Sequence, residues 1–375
     1  MRRELLLQYR CLSLELLNID CFGQPLRLEG SVAGWQVLYW NNTPVSRLDA
    51  CADPHGETMH QFELQTSTGE TILCRLEINL NWQPFELNYT MYANHQRLGT
   101  GQVNTQDIER QVPQHQAEHP RKPLNILGLG ALALKLFKSA KVIKAVLVGA
   151  SVAAYSWFFS PLFALALVFC LVIHEYGHIR AMQHFGMKTK GIYLIPFIGG
   201  LALSEERVNT RWQDVVIALM GPCFGLVLSL LSLLAYWVTG SAFFAGLSAF
   251  NALLNLFNLL PILPLDGGHV LKSITFSMNS VVGLSLCLLA AVGGVALSYH
   301  LGLSLLGFLL IIGSIEIFFE WRGRHQSALL PLDRYGQIFS AVWYLLVVGM
   351  LVGIIWYFSG TGDALLGLPL KVLQS

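Results

Sequence analysis

Charged residues are scarce in this sequence, and they are unevenly placed. They make up 13% of the chain, against 54% for hydrophobic residues. Residues 1–125 carry charge at the density of a soluble protein, whereas long stretches after about Ala145 carry almost none. This contrast is typical of a soluble N-terminal part followed by a membrane part with several spans. The formal net charge of +1 argues against nucleic acid, so we expect no nucleic-acid partner.

A secretory signal is also lacking at the start of the sequence. The apolar stretch there is short, Arg10 and Glu15 interrupt it, and no small-residue cleavage site follows. The seven cysteines have no regular spacing, which suits a reducing compartment. We therefore expect the N-terminal part to remain in the cytoplasm.

Residues 1–112 predict a cytoplasmic antiparallel β-sandwich, because short apolar stretches flank turn signals. The turn signals are Asn41-Asn42, Thr68-Gly69 and Ala93-Asn94. The first and last of these stand in hairpins of similar plan, which suggests two related halves. This part shows no candidate catalytic cluster. Its histidines, His55, His60 and His95, are scattered, and we expect them at the surface or in loops.

Residues 113–141 predict a linker followed by an amphipathic basic helix. The first part is polar and contains proline, which is typical of a linker. Lys135, Lys138, Lys141 and Lys144 then follow at three-residue steps, so they lie near one face of a helix. Such a face suits an anionic cytoplasmic membrane surface. A solvated helix face before a membrane span fits the same pattern equally well.

Residues 142–375 predict a membrane domain with about seven helical spans. The spans are expected at about 142–159, 161–181, 214–238, 242–260, 281–299, 301–320 and 337–358. Lys and Arg concentrate in the loops 180–212 and 321–336, and they are absent from the turns near residues 160, 240 and 300. The basic loops should therefore face the cytoplasm. We expect a multi-pass protein of a bacterial inner membrane with its N-terminus inside.

The stretch LVIHEYGHIR, residues 171–180, places ionisable groups at the end of an apolar run. His174 and His178 are four positions apart, so on a helix both imidazoles project from one face. Imidazoles placed in this way suit two ligands of Zn²⁺, and Glu175 beside them can act as a general base. Ionisable groups in such a helix usually face a polar cavity and have a function. The alternative is a pair of interfacial histidines with a glutamate that reaches toward the headgroups.

A third metal ligand is expected, because catalytic zinc usually has three protein ligands. Asp266 is the strongest candidate, since it follows Pro261 and Pro264 at the cytoplasmic end of a span that runs parallel to the HExxH helix. The prolines and the two glycines after Asp266 break the helix, and irregular backbone at membrane depth needs protein or a cavity around it. His269 is a competing ligand.

HEYGH together with NLLPILPLDGG resembles the site-2 protease family of intramembrane zinc metalloproteases. The resemblance covers about residues 125–280. It implies that His174, His178 and Asp266 bind Zn²⁺ and that Glu175 is the catalytic base. It also implies a place near the active site for Asn258, eight residues before the aspartate. A helix–helix hydrogen bond is the alternative role for Asn258, and Asn251 and Asn255 could make one too.

The segment GIYLIPFIGG, residues 191–200, is similar to a Gly-rich extended segment of the same family. As an extended edge it could pair with an unwound substrate by strand addition. The substrate-binding residues are then Gly191, Tyr193, Pro196, Gly199 and Gly200. A loop that dips into the membrane interface is the alternative.

The function expected from these features is intramembrane zinc-dependent proteolysis of peptide bonds in or near transmembrane segments. The partners are then a transmembrane protein substrate, the lipid bilayer and a protein that the β-domain binds. The main alternative is a catalytically silent membrane scaffold or sensor that acts through the β-domain. A metal transporter is a third reading, but the outer halves of the spans are nearly bare of ionisable groups.

Overall fold

The structure is a computed structural model that describes nine continuous stretches of the chain. They are residues 14–32, 34–49, 56–65, 71–111, 140–157, 159–195, 199–204, 208–278 and 329–360, and isolated helical positions between 285 and 315 are described as well. The predicted linker and basic helix lie outside the described residues, except for the start of a helix at Ala140.

The N-terminal part forms two four-stranded antiparallel sheets. The first contains β1 (Leu14–Cys21), β2 (Gln24–Gly30), β3 (Gln36–Trp40) and β4 (Thr43–Leu48), in that order. The second contains β5 (Gly56–Gln65), β6 (Thr71–Trp82), β7 (Phe85–Ala93) and β8 (Gln96–Asn104), again in chain order. A short helix, α1 (Thr105–Arg110), follows β8. The prediction of antiparallel sheets is confirmed, and we refer to this part as the β-domain.

The two sheets of the β-domain share one hydrophobic core. Leu16, Leu26 and Leu28 of the first sheet belong to the same buried cluster as Leu76 and Leu87 of the second. Side chains alternate between the two faces of a strand, so each sheet can bury one face and leave the other to water. The arrangement is that of a sandwich of two similar meanders.

The two hairpins of the β-domain with asparagine at the turn pass through residues with positive φ. Asn41 and Asn42 join β3 to β4 with φ of 47° and 60°, and Asn94 and His95 join β7 to β8 with φ of 46° and 67°. Two successive left-handed residues suit the twist of a tight hairpin, and asparagine tolerates this region well. The turn expected at Ala93-Asn94 is therefore one residue later, and Ala93 ends β7. The turn expected at Thr68-Gly69 lies outside the described residues.

The expectation of a surface or loop position is wrong for His60. It lies in β5 with 0% exposure, on the same face as Phe62 and Leu64. Its ring nitrogens bond Ser46 Oγ at 2.9 Å and Gln36 Oε1 at 3.1 Å, both in the opposite sheet. Burial lowers the pKa of His60 to about 4, so the neutral imidazole joins the two sheets. His95 is exposed as expected, and His55 lies outside the described residues.

The described residues from Ala140 onward are helical apart from one hairpin and the connecting loops. They contain the helices α2 (Ala140–Ser156), α3 (Pro161–His184), α4 (Arg211–Thr239), α5 (Ala242–Asn258), α6 (Asp266–Met278) and α7 (Arg334–Ser359). The antiparallel strands β9 (Thr189–Ile195) and β10 (Gly199–Ser204) form the hairpin between α3 and α4.

Among the described residues, three helices are long and apolar enough to cross a membrane, namely α3, α4 and α7. α5 and the described part of α2 are apolar but shorter. The spans expected at 281–299 and 301–320 lie outside the described residues, except for isolated positions. Of the roughly seven spans that the sequence predicts, the described residues therefore contain three candidates.

The β-domain contacts the helical part through the segment that precedes α7. Leu330 belongs to the core of the β-domain, whereas Leu332 belongs to the core formed by α4, α5, α6 and α7. Gln83, in the turn between β6 and β7, donates to Ser277 O at 3.0 Å and to Leu332 O at 3.1 Å. The end of α6 is thus bound to the β-domain, and Asp266 begins the same helix.

A second contact joins the β-domain to the start of α4. Asn209 donates to Ile108 O at 3.2 Å and to Gln111 O at 2.7 Å. Gln213 in the first turn of α4 donates to Glu109 O at 3.0 Å. Helices α4 and α6 are therefore both anchored on the β-domain.

Candidate metal centre

Helix α3 carries three buried ionisable side chains in its second half. The helix begins with Pro161 after Ser160, whose hydroxyl accepts from the Phe163 amide at 3.3 Å. Proline at the first position and a capping serine both favour a helix start. His174, Glu175 and His178 are only 2%, 5% and 7% exposed. Such burial of three polar groups requires partners nearby.

Asp266 reaches the two histidines because the chain reverses after α5. The reversal ends where the amides of Gly268 and His269 donate to Leu265 O, at 2.9 Å and 3.3 Å. A Cβ on Gly267 would overlap the main chain of Leu259, and one on Gly268 would overlap that of Ile262. Glycine is therefore required at both positions for α6 to start this close to the end of α5.

The ligand atoms of His174, His178 and Asp266 lie around one point. His174 Nε2 is 3.1 Å from His178 Nε2 and 3.3 Å from Asp266 Oδ2, and His178 Nε2 is 3.6 Å from Asp266 Oδ1. Donors around a tetrahedral zinc, each bonded at about 2.1 Å, are separated by about 3.4 Å. The three observed separations bracket that value. Within the described residues, these three side chains form a group that could hold a metal ion.

Each histidine ring is held at the nitrogen that faces away from this group. His178 Nδ1 bonds Ile217 O at 2.7 Å, and His174 Nδ1 bonds Asn255 Oδ1 at 2.8 Å. Helix α4 approaches α3 closely, because a Cβ on Gly177 would overlap the main chain of Met220. A Cβ on Gly221 would overlap the His178 ring. The Gly221-Pro222 pair of α4 therefore lies against a candidate ligand.

Glu175 points toward the same group from the side of the hairpin. Its Oε1 is 3.9 Å from His174 Nε2. The Ala202 backbone amide hydrogen-bonds the Glu175 carboxylate. A Cβ on Gly200 would overlap the Glu175 side chain. Strand β10 thus passes directly beside the carboxylate.

The extended conformation expected for residues 191–200 is found, in the form of the β9–β10 hairpin. Gly191 has φ of 95°, a conformation that favours glycine, and it pairs with Leu203. Tyr193 pairs with Leu201, and Gly199 pairs with Ile195. Pro196 lies outside the described residues. Of the expected substrate-binding residues, Gly200 therefore lies directly against Glu175, the candidate catalytic glutamate.

Three asparagine residues lie on α5, and the one that contacts His174 is Asn255. Asn258 is the last residue of α5, and it is half-buried. Asn255, one turn earlier, bonds His174 and is 0% exposed. Asn251 bonds α4 as a helix–helix contact. In the sequence, the signal for a role of these residues is a polar amide in an apolar helix. This signal is the same for Asn251, Asn255 and Asn258.

His269 does not join the group of three ligands. Its Nδ1 is 3.5 Å from Asp214 Oδ1, and Ser273 Oγ donates to Asp214 Oδ2 at 2.6 Å. Asp214 lies in the first turn of α4, whereas His269 and Ser273 lie on α6. This cluster joins the two helices beside the candidate metal centre, and no pattern in the sequence pointed to it.

Comparisons with known proteins match the part of the chain that contains this site. The model of peptidase family M50 matches residues 162–241 and 237–297. A Synechocystis protein whose name assigns it provisionally to the zinc metalloproteases is 39% identical over 142 residues, which cover 36% of this chain and 37% of the relative. A zinc metalloprotease of Methanocaldococcus jannaschii is 31% identical over 134 residues, 34% of this chain and 38% of the relative.

The stage IV sporulation protein FB of Bacillus subtilis is similar over a longer part. It is 27% identical over 188 residues, which cover 46% of this chain and 63% of the relative. The chain thus matches less than two thirds of the length of each of these three relatives. The family and the names of the relatives imply Zn²⁺ as the metal, and the three donors fit it. Residues 162–297 of this chain are similar to peptidase family M50, the site-2 protease family.

Proposed function

We propose that the chain is an intramembrane zinc metalloprotease that hydrolyses peptide bonds in or near transmembrane segments of other proteins. The observation that carries this proposal is the convergence of Asp266 with His174, His178 and Glu175, all three of which lie on the apolar helix α3. A scaffold without activity would have no need of a buried carboxylate next to three metal ligands, because burying such a group is costly.

The roles of the side chains follow from their positions. His174 Nε2, His178 Nε2 and an Asp266 oxygen would hold the metal. The chemistry that bound Zn²⁺ supplies is polarisation of the peptide carbonyl and a lower pKa for the attacking water. Glu175 takes a proton from that water and passes it to the leaving amine. The reaction consumes one water and yields a new carboxylate and a new amine. Asn258 hydrogen-bonds the substrate backbone or the developing oxyanion.

The substrate chain is proposed to bind along β10. A transmembrane helix has its carbonyls in internal hydrogen bonds, so it must unwind before it can be cut. Within the described residues β10 pairs with β9 on one side, and its Ala202 amide points to Glu175 on the other. An unwound segment added at this second edge would lie beside the base. Gly191, Tyr193, Pro196, Gly199 and Gly200 are proposed to shape the hairpin that binds it.

The arrangement in the membrane is also a proposal. The chain would consist of a cytoplasmic β-domain (1–112), a linker with a basic helix (113–141) and a membrane domain (142–375). Basic residues between α3 and α4 support a position of the metal centre near the cytoplasmic face of a bacterial inner membrane. Apolar side chains that are exposed on the helices, such as Leu162, Val238 and Trp356, would then contact lipid. The β-domain is proposed to bind a protein partner.

The test compares cells that carry the wild-type chain with cells that carry Glu175→Gln. Proteomics of membrane fractions should show at least one membrane-anchored protein that is cut in the wild type and accumulates uncut in the variant. The purified variant should keep its zinc, because Glu175 is not a ligand. Identical fragment patterns in the two strains would contradict the proposal and favour a scaffold or sensor that acts through the β-domain.

A further inference from the structure

We propose that Asn255 is a positioning residue that fixes the tautomer and the ring orientation of His174 for zinc binding. This proposal rests on the proposed function, because it assigns the role of metal ligand to His174. It concerns two side-chain amides of α5, which are hydrogen-bonded to each other and to α4. We refer to Asn255 and Asn251 together as the amide chain.

The orientation of the Asn255 carboxamide is set by a main-chain carbonyl. Its Nδ2 lies 2.8 Å from Asn251 O and 3.0 Å from Asn251 Oδ1. A main-chain carbonyl can only accept, so the NH₂ group of Asn255 must face it. The Oδ1 atom of Asn255 is then the one that lies 2.8 Å from His174 Nδ1.

The orientation of Asn251 is set in the same way. Its Nδ2 lies 2.8 Å from Gly225 O and 2.8 Å from Ser229 Oγ, both on α4. Gly225 O can only accept, so the Asn251 NH₂ group faces α4 and its Oδ1 faces Asn255. Both amides of the chain are therefore locked by main-chain groups.

A defined tautomer of His174 follows from this chain. Asn255 Oδ1 is an acceptor, so His174 Nδ1 must carry a hydrogen. The lone pair of the neutral ring is then on Nε2, the atom that faces His178 and Asp266. Ile217 O imposes the same tautomer on His178. Both rings thus turn Nε2, the nitrogen that could bind a metal, toward Asp266.

The surroundings make this hydrogen bond important for the metal. Asn251 and Asn255 are both 0% exposed, so water does not compete for their polar atoms. A neutral amide in this place orients the ring without a further buried charge, which would be costly inside an apolar bundle. The space for it comes from Gly225, where a Cβ would overlap the Asn255 carboxamide. Gly225 and Asn255 therefore fit each other across the two helices.

The first experiment measures the zinc dissociation constant of the full-length protein in detergent by competition with a chelator. Asn255→Leu keeps the volume but removes the acceptor, and it should weaken zinc binding by about 10–100-fold. Asn255→Asp keeps an acceptor for His174 Nδ1 and should stay within about threefold of the wild type. A role in packing alone predicts the reverse order, because leucine suits an apolar bundle and a buried carboxylate does not.

The second experiment moves the Asn255 side chain by a substitution at Gly225, which packs against it. Gly225→Ala should weaken zinc binding by a similar factor, whereas Gly353→Ala on α7, where a Cβ meets open space, should leave it unchanged. This pair keeps the proposal testable if Asn255→Asp does not fold. Wild-type affinity in both Asn255→Leu and Gly225→Ala would overturn the role of Asn255 and leave the proposed function intact. A wild-type protein that binds no zinc would overturn both.

Discussion

The β-domain and the membrane helices bury different kinds of side chain. In the β-domain the side chains without exposure include Leu16, Leu26 and Leu28, whereas in α4 and α5 they include Ser229 and Asn251. Water satisfies polar groups on the outside of a soluble domain, so few need to be buried there. Lipid offers no hydrogen bonds, so polar groups of membrane helices turn inward and bond each other. The candidate metal centre lies at the end of such a chain of inward-facing polar groups.

The largest effect is expected where the hairpin meets Glu175, the proposed catalytic base. Gly200→Val should lower the rate of substrate cleavage by at least about 100-fold, because its side chain would displace the Glu175 carboxylate. Zinc content should not change, since no ligand is touched. The assay follows a protein that accumulates uncut in the Glu175→Gln strain.

The matched control for this variant lies in the β-domain. A Cβ on Gly99 of β8 meets nothing within 4 Å, so Gly99→Val should leave cleavage unchanged. Full activity in Gly200→Val would show that β10 does not lie against the working glutamate.

Two leucine-to-alanine variants, one in each region, should differ in their effect on the free energy of unfolding. Leu28→Ala in β2, with 0% exposure, should lower the free energy of unfolding of the β-domain by about 2–5 kcal/mol. Leu345→Ala on α7, with 63% exposure, should change stability by less than about 0.5 kcal/mol. Hydrogen exchange of the full-length protein in lipid nanodiscs measures both. Equal losses would contradict the proposal that exposed apolar side chains of the helices, Leu345 among them, contact lipid.

His60 makes the stability of the β-domain depend on pH. Its pKa is lowered from 6.5 to about 4 by burial, so between these values the unfolded chain binds a proton that the folded chain does not. The free energy of unfolding should therefore fall as the pH drops, by up to about 1.4 kcal/mol per pH unit. Hydrogen exchange in β5 at several pH values measures the slope. It should vanish in His60→Leu and persist in a variant of the exposed His95, and a slope unaffected by His60→Leu would rule out the buried imidazole as its cause.

The smallest effect is expected where the two regions meet. Gln83→Ala removes two hydrogen bonds to Ser277 O and Leu332 O, each worth about 1 kcal/mol. Amide exchange at the end of α6 and near Leu332 should rise by roughly 5–30-fold. Gln102→Ala removes an exposed bond to Glu86 and should leave these amides unchanged. No change in Gln83→Ala would mean that the β-domain does not hold α6.

The parts that could be predicted from the sequence are those that depend on local spacing. The hairpin turn at Asn41-Asn42 needs only neighbouring residues, and four-residue spacing puts His174 and His178 on one helical face whatever surrounds it. Asp266 could be nominated because breaks in an apolar helix are visible in the sequence.

The remaining features depend on contacts between distant segments. Asn251, Asn255 and Asn258 all lie on α5, and only the close approach of Gly225 decides which amide meets His174. The burial of His60 depends on Ser46 and Gln36 in the other sheet. No local pattern contains this information, because it arises from packing between elements.

The central claim is that one zinc ion is held by His174, His178 and Asp266. Zinc-edge X-ray absorption of the purified full-length protein tests it most directly. We predict one zinc per chain with two imidazole nitrogens and carboxylate oxygen at about 2.0–2.2 Å, and loss of this signal in Asp266→Ala. A spectrum without imidazole ligands, or one that is unchanged in Asp266→Ala, would contradict it.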